Sequence, residues 1–120
     1  MKIAVTSQGS DLNSQVDPRF GRAKNFIVFD SETNDFSVHD NAQNLNAAQG
    51  AGIQAGRTVI DLGVDAVITG NVGPKAFTTL QAGDVQVCTG ASGTVKEAID
   101  KFKAGELKGA EKANVEGHWA

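Results

Sequence analysis

Apolar residues cluster in short unbroken runs separated by polar, glycine-containing stretches. Ile3-Ala4-Val5, Phe26-Ile27-Val28-Phe29 and Ala66-Val67-Ile68 have the length and composition of buried strands. Phe36-Ser37-Val38-His39 alternates as a further strand, and the turn-rich Asp30-Ser31-Glu32-Thr33-Asn34-Asp35 before it makes a hairpin with the second run. Val85, Val87 and Cys88 mark a fifth strand. The other periodic segments are helical. From Gly50 to Leu62, Ile53, Val59 and Ile60 recur at near-helical spacing with Gly52 and Gly56, and Gly63 is the expected stop. Each internal glycine costs about 1 kcal/mol of helix propensity relative to alanine. Close approach of this helix to the sheet or to a ligand is the expected compensation. Pro74 suits the first position of a helix carrying Ala76, Phe77 and Leu80. Thr94-Val95-Lys96-Glu97 is a capping box that opens a helix with Val95, Ala98, Ile99 and Phe102 on one face, ended by Gly105.

The order β-β-β-α-β-α-β-α predicts an α/β fold, a five-stranded mixed sheet with helices on both faces. Helical crossovers make strands one, four and five parallel, and the hairpin adds antiparallel neighbours. The three parallel strands end alike, in Val5-Thr6, Ile68-Thr69 and Cys88-Thr89, so their carboxyl ends share the edge where open α/β folds place ligands. Thr6 to about Lys24 reads as a polar loop and Asn41 to Asn46 as a polar link. Residues 1–105 form the single domain, and 106–120 a polar tail with Val115, His118 and Trp119 as anchors.

Composition narrows the partners. The 120 residues are 40% hydrophobic and 21% charged, ordinary for one globular domain. A formal net charge of −3 argues against nonspecific nucleic-acid binding, which rests on neutralising phosphates. Cys88 is the only cysteine, so one chain offers neither a disulfide nor a thiolate cage, and a small buried thiol is expected. No segment approaches the roughly 20 apolar residues of a membrane span, and the start is too short for a signal peptide. The cytoplasm is the default location.

Catalytic motifs fail on inspection. The element order is that of ribonuclease H folds, yet the first strand lacks the carboxylate that a Mg²⁺-dependent nuclease needs. Gly50 to Gly56 has one residue too many for a dinucleotide fingerprint and follows no strand. Gly70 to Lys75 lacks the Gly-Lys-Ser/Thr ending of a P-loop. His39, expected on the solvent face of the hairpin, and His118 have no serine or cysteine elbow near them. The positive signal is Asp17-Pro18-Arg19-Phe20-Gly21-Arg22-Ala23, a basic loop in an acidic chain. It is read with Thr69-Gly70-Asn71-Val72-Gly73-Pro74 and Thr89-Gly90-Ala91-Ser92-Gly93-Thr94, which each follow a strand and open a helix. Helix N-termini with two arginines suit a bound anion, which points to a binding site rather than a catalytic one.

The assembled pattern resembles the dinitrogenase iron–molybdenum cofactor biosynthesis family. The matching segments are Met1-Lys2-Ile3-Ala4-Val5, Arg19-Phe20-Gly21-Arg22-Ala23, Gly50-Ala51-Gly52-Ile53 and Leu62-Gly63-Val64-Asp65. They continue with Val67 to Phe77, Gly93 to Ile99 and Asn114-Val115-Glu116-Gly117-His118-Trp119. The resemblance implies a ribonuclease H-like fold without nuclease chemistry and the carriage of metal–sulfur clusters or their precursors. The small stand-alone members are the nearest in size, which implies a noncovalent molybdenum–copper sulfide cluster, or another molybdenum– or iron–sulfur cluster. Nitrogenase-cofactor carriers often have histidine before Phe-Gly, where this chain has Arg19. A guanidinium stays protonated and is no metal ligand, but it pairs with an anionic cluster whose sulfides accept N–H donors.

The expected roles follow. Arg19 and Arg22, flanking Gly21, supply charge, and Lys75 adds to it. Gly70, Asn71, Gly73, Gly90 and Gly93 give backbone donors and clearance. Phe20 and Ala23 form an apolar wall, and Gly50 and Gly52 let the neighbouring helix approach. The alternative is a regulatory or interaction module of the same fold that has lost the cluster and docks on a partner such as an ATPase or cluster acceptor.

Overall fold

The computed structural model describes residues 1–42, 50–107, 109, 110 and 113. In chain order the elements are β1 (Lys2–Ser7), β2 (Asn25–Asp30), β3 (Phe36–Asp40), α1 (Ala51–Asp61), β4 (Ala66–Ile68), α2 (Pro74–Ala82), β5 (Gln86–Cys88) and α3 (Val95–Lys103). They form one five-stranded sheet in the order β3-β2-β1-β4-β5. β1 runs parallel to β4, and β4 to β5, while β2 is antiparallel to both β1 and β3.

Register sorts the core. Ala4, Phe26, Val28, Val67 and Val87 point to one face and pack with Ala55, Val59, Ala76, Phe77 and Leu80 of α1 and α2. Ile3, Val5, Ile27, Phe29, Ile68 and Cys88 point to the other, against Val95, Ala98 and Ile99 of α3. Helices on both faces explain why β1, β2 and β4 read as unbroken apolar runs rather than alternating ones.

Three details differ from the sequence reading. The glycines of α1 face α2, not the sheet or a ligand: a Cβ on Gly52 would stand 3.0 Å from Ala76 Cβ, and one on Gly56 3.0 Å from Thr79 Cγ2. The buried set of α1 is accordingly Ala51, Ala55, Gly56 and Val59, with Ile53 and Ile60 only half-buried. β3 is an edge strand exposed on both faces, with Phe36 42% and Val38 38% exposed. Finally, Gly109 bridges to Cys88, and the Ala110 N–H donates to the Val87 carbonyl at 2.6 Å, so the chain after α3 lies along the outer edge of β5. The anchors Val115, His118 and Trp119, and residues 43–46 of the link, lie outside the described residues. Among the described residues no helix is long and apolar enough to cross a membrane.

Candidate anion-binding site at the carboxyl edge

The carboxyl ends of β1, β4 and β5 carry the loops singled out above, and buried hydroxyls tie the first of them down. Thr6 Oγ1 lies 2.7 Å from the Asp17 carbonyl and 2.9 Å from Thr69 Oγ1. A hydroxyl has one proton, so Thr6 donates to Asp17 and accepts from Thr69. The Asp17 N–H donates back to the Thr6 carbonyl at 2.9 Å. The Asp17 carboxylate, 7% exposed, accepts the N–H groups of Arg19 (3.1 Å) and Lys24 (3.3 Å). From the other side Asn41, 2% exposed, donates its amide to the carbonyls of Ala23 (2.8 Å) and Gly21 (3.2 Å). The basic loop is thus clamped at both ends. Phe20 and Ala23 are fully buried beneath it, with the Phe20 ring 5.6 Å from that of Phe26. They form the apolar floor of the loop. Neither Asp17 nor Asn41 has a role in the sequence reading; the only signal is an Asx residue beside a strand end, common to many turns.

The second loop docks on the first. A Cβ on Gly70 would meet Pro18 Cα at 2.8 Å and the Pro18 carbonyl oxygen at 2.9 Å, so only glycine admits this approach. Arg19 and Asn71 form a parallel bridge, the Phe20 N–H donates to the Asn71 carbonyl at 3.1 Å, and the Asn71 amide donates to the Pro18 carbonyl at 2.9 Å. The third loop joins through the Gly90 N–H to the Gly70 carbonyl (2.8 Å) and the Val16 N–H to the Gly93 carbonyl (2.9 Å). The three loops are therefore one body. The N–H of Gly90 is engaged within it, so Gly90 shapes the site rather than donating.

Free donors come from two helix starts. α1 and α2 have Gly50 and Gly73 as N-caps, with no side-chain cap and no acidic residue in the first turn. Their first intrahelical bonds run from Gln54 to Gly50 and from Phe77 to Gly73, both 3.0 Å, leaving the preceding N–H groups, including those of Lys75 and Ala76, ahead of the ladder. The two starts lie side by side where Gly52 meets Ala76. α3 is closed instead. Thr94 and Glu97 form the reciprocal box at 3.1 and 3.0 Å, and the N–H groups of Val95 and Lys96 donate to Ser14 and Leu12. The Thr94 N–H bond to its carboxylate, with the Thr94 hydroxyl bond, holds the Glu97 acid below its usual range. Arg19, Lys24 and Lys75 are exposed at this edge and Arg22 is half-buried.

Other chemistry-bearing residues lie apart. Cys88 is fully buried in the core against α3, and burial pushes its thiol pKa up. His39, half-buried on the edge strand, faces the solvent-open side of the hairpin, and the two-residue period of β3 brings Ser37 Oγ to 2.9 Å from its Nε2, a serine neighbour that the sequence reading missed. Among the described residues no group of three His, Cys, Asp or Glu side chains can hold a metal ion.

Residues 1–105 match the profile of the family described as dinitrogenase iron-molybdenum cofactor. The chain belongs to that family. The apo form of the orange protein from Desulfovibrio gigas is 39% identical, with 95% of this chain and 96% of that one covered and a TM-score of 0.93. The solution structure of a Thermotoga protein named for NifB is also 39% identical, over 97% of this chain and 98% of that one, with a TM-score of 0.83. An uncharacterized protein of Methanocaldococcus jannaschii is 27% identical over 110 residues, 90% of each chain. Family membership bears out the resemblance read from the sequence.

Proposed function

We propose that this family member carries an anionic metal–sulfur cluster without covalent attachment, of the molybdenum–copper sulfide type that the resemblance implies, and that it does no chemistry on it. The observation that carries this reading is the pair of uncapped, acid-free starts of α1 and α2, packed side by side at the edge that holds the basic loop. A cluster that brings its own sulfide ligands needs from the protein only charge, N–H donors and shape. In this reading Arg19 and Arg22 pair with the sulfides, Lys75 adds charge, and the first N–H groups of α1 and α2 donate. Gly50 and Gly73 keep side chains out of the way. The clamps on the 17–24 loop fix the backbone that carries the arginines.

The test is anaerobic reconstitution with thiomolybdate and copper, read by visible charge-transfer bands and by metal-to-protein ratio. A charge-assisted hydrogen bond is worth about 1.5–3 kcal/mol, so Arg19→Glu with Arg22→Glu should weaken retention by roughly a hundredfold or more. A double variant that keeps the wild-type circular dichroism spectrum and still holds its metals would overturn the assignment.

A further inference from the structure

The two edges of the sheet are treated differently. Gly109 and Ala110 lie along β5, whereas among the described residues nothing pairs with the outer side of β3. β3 has no lysine, proline or bulge, the usual guards of a free edge, and all five of its residues pair in register with β2. A complete row of backbone donors and acceptors is therefore presented.

Its two faces are unlike. Phe36 and Val38 lie opposite Phe29 and Ile27 on the α3 side, an exposed apolar pair. Lys103 Nζ already covers the Phe29 ring there, 4.7 Å from its centroid. On the other side Ser37 and His39 line an open groove of about 490 Å³ with Asp30, Asp35 and Leu62. Glu32 stands in the same hairpin. Against these carboxylates the nearby cations are Lys2, which also lines the groove, and the terminal amine, 3.9 Å from Glu32.

We propose that the β3 edge docks an extended segment of another protein in which apolar and basic residues alternate. Main-chain hydrogen bonds add it as a sixth strand, its apolar side chains cover Phe36 and Val38, and its basic side chains reach the groove beside Asp30 and Asp35. A second copy of this chain fits worse. Antiparallel self-pairing about Val38 sets the Asp40 of one copy across from Phe36, and beside Asp35, of the other. Because β3 runs straight into Asn41, which clamps Gly21 and Ala23, the docked segment lies next to the basic loop.

The experiment is an amide-shift titration of the full chain with the peptide Lys-Val-Lys-Val-Lys-Val-Lys. The controls are its Glu-Val counterpart and a peptide of the same composition with lysines and valines in separate blocks. Shifts confined to β3 and the β2–β3 hairpin are expected, with the block peptide weaker and the acidic peptide silent. Asp35→Lys and Val38→Lys, both at exposed positions, should each weaken binding roughly tenfold while leaving the rest of the spectrum in place. Any one of three results overturns the proposal. They are no shift up to about a millimolar peptide, equal response to the controls, or peptide-free dimers whose shifts map to β3.

Discussion

At Gly70 an added Cβ would collide with Pro18 Cα and carbonyl oxygen, backbone atoms that cannot swing aside. Gly70→Ala should therefore lift the basic loop, with a stability loss of roughly 1–3 kcal/mol, the usual scale of overpacking. Urea unfolding measures the loss, and the Phe20 amide resonance reports whether its bond to Asn71 has stretched. An unchanged midpoint with an unmoved Phe20 amide would show that the loops are not wedged. Cys88 gives a second expectation. Its buried, neutral thiol should react with iodoacetamide far more slowly in the native protein than in denaturant. Equal rates would mean that this side of the core opens readily. At this scale the site was partly legible. Arg19, Arg22, Gly70 and Gly73 announce themselves because arginine and glycine have local signatures. Asn41 and the Thr6–Thr69 pair do not, because their partners lie 11 to 63 residues away, and the Asp17 carboxylate, which bonds Arg19 and Lys24 two and seven residues on, looks like that of any turn. Gly52 and Gly56 signalled that something comes close, and the readings offered for it, the sheet, a ligand or for Gly52 a neighbouring helix, did not single out α2.

Among the elements, α3 is the helix whose start is sealed, and it can be probed alone. Thr94→Ala should cost about 1 kcal/mol, as N-cap losses do, visible as a lower thermal midpoint. The Glu97 carboxyl is held below its usual value in the fold, so its contribution is complete above the unfolded value and disappears as pH falls through the folded one. Glu97→Gln should then melt below wild type at neutral pH and together with it in strong acid. A gap that persists in acid would put the effect in packing rather than charge. The order and type of the eight described elements follow from unbroken apolar runs, a proline at a helix start and one capping box. β3 was the exception in burial. Alternation tells which residues share a face, but not whether any helix covers it, and α3 stops short of that edge of the sheet.

Across the whole molecule, a net charge of −3 hides how charge is placed. The three described helices begin at the edge that carries Arg19, Arg22 and Lys75, and Asp30, Asp61, Asp65 and Asp84 stand at the opposite ends of the strands and helices, a separation that Glu97 on the first edge and Lys2, Lys101 and Lys103 on the second offset in part. Composition cannot reveal this, since it depends on which way each strand runs. The helix dipoles reinforce the separation: α1 and α2 have no acidic first turn and no basic last turn to offset them. The strip formed by Gly109 and Ala110 matters in a different way. With β5 covered, β3 is the one open sheet edge among the described residues. A chain ending at Leu107 would have two, β3 on one flank and β5 on the other, and unlike sides that join head to tail do not close. Such a shortened protein should grow into filaments as its concentration rises, which light scattering would register against a flat baseline for the full chain.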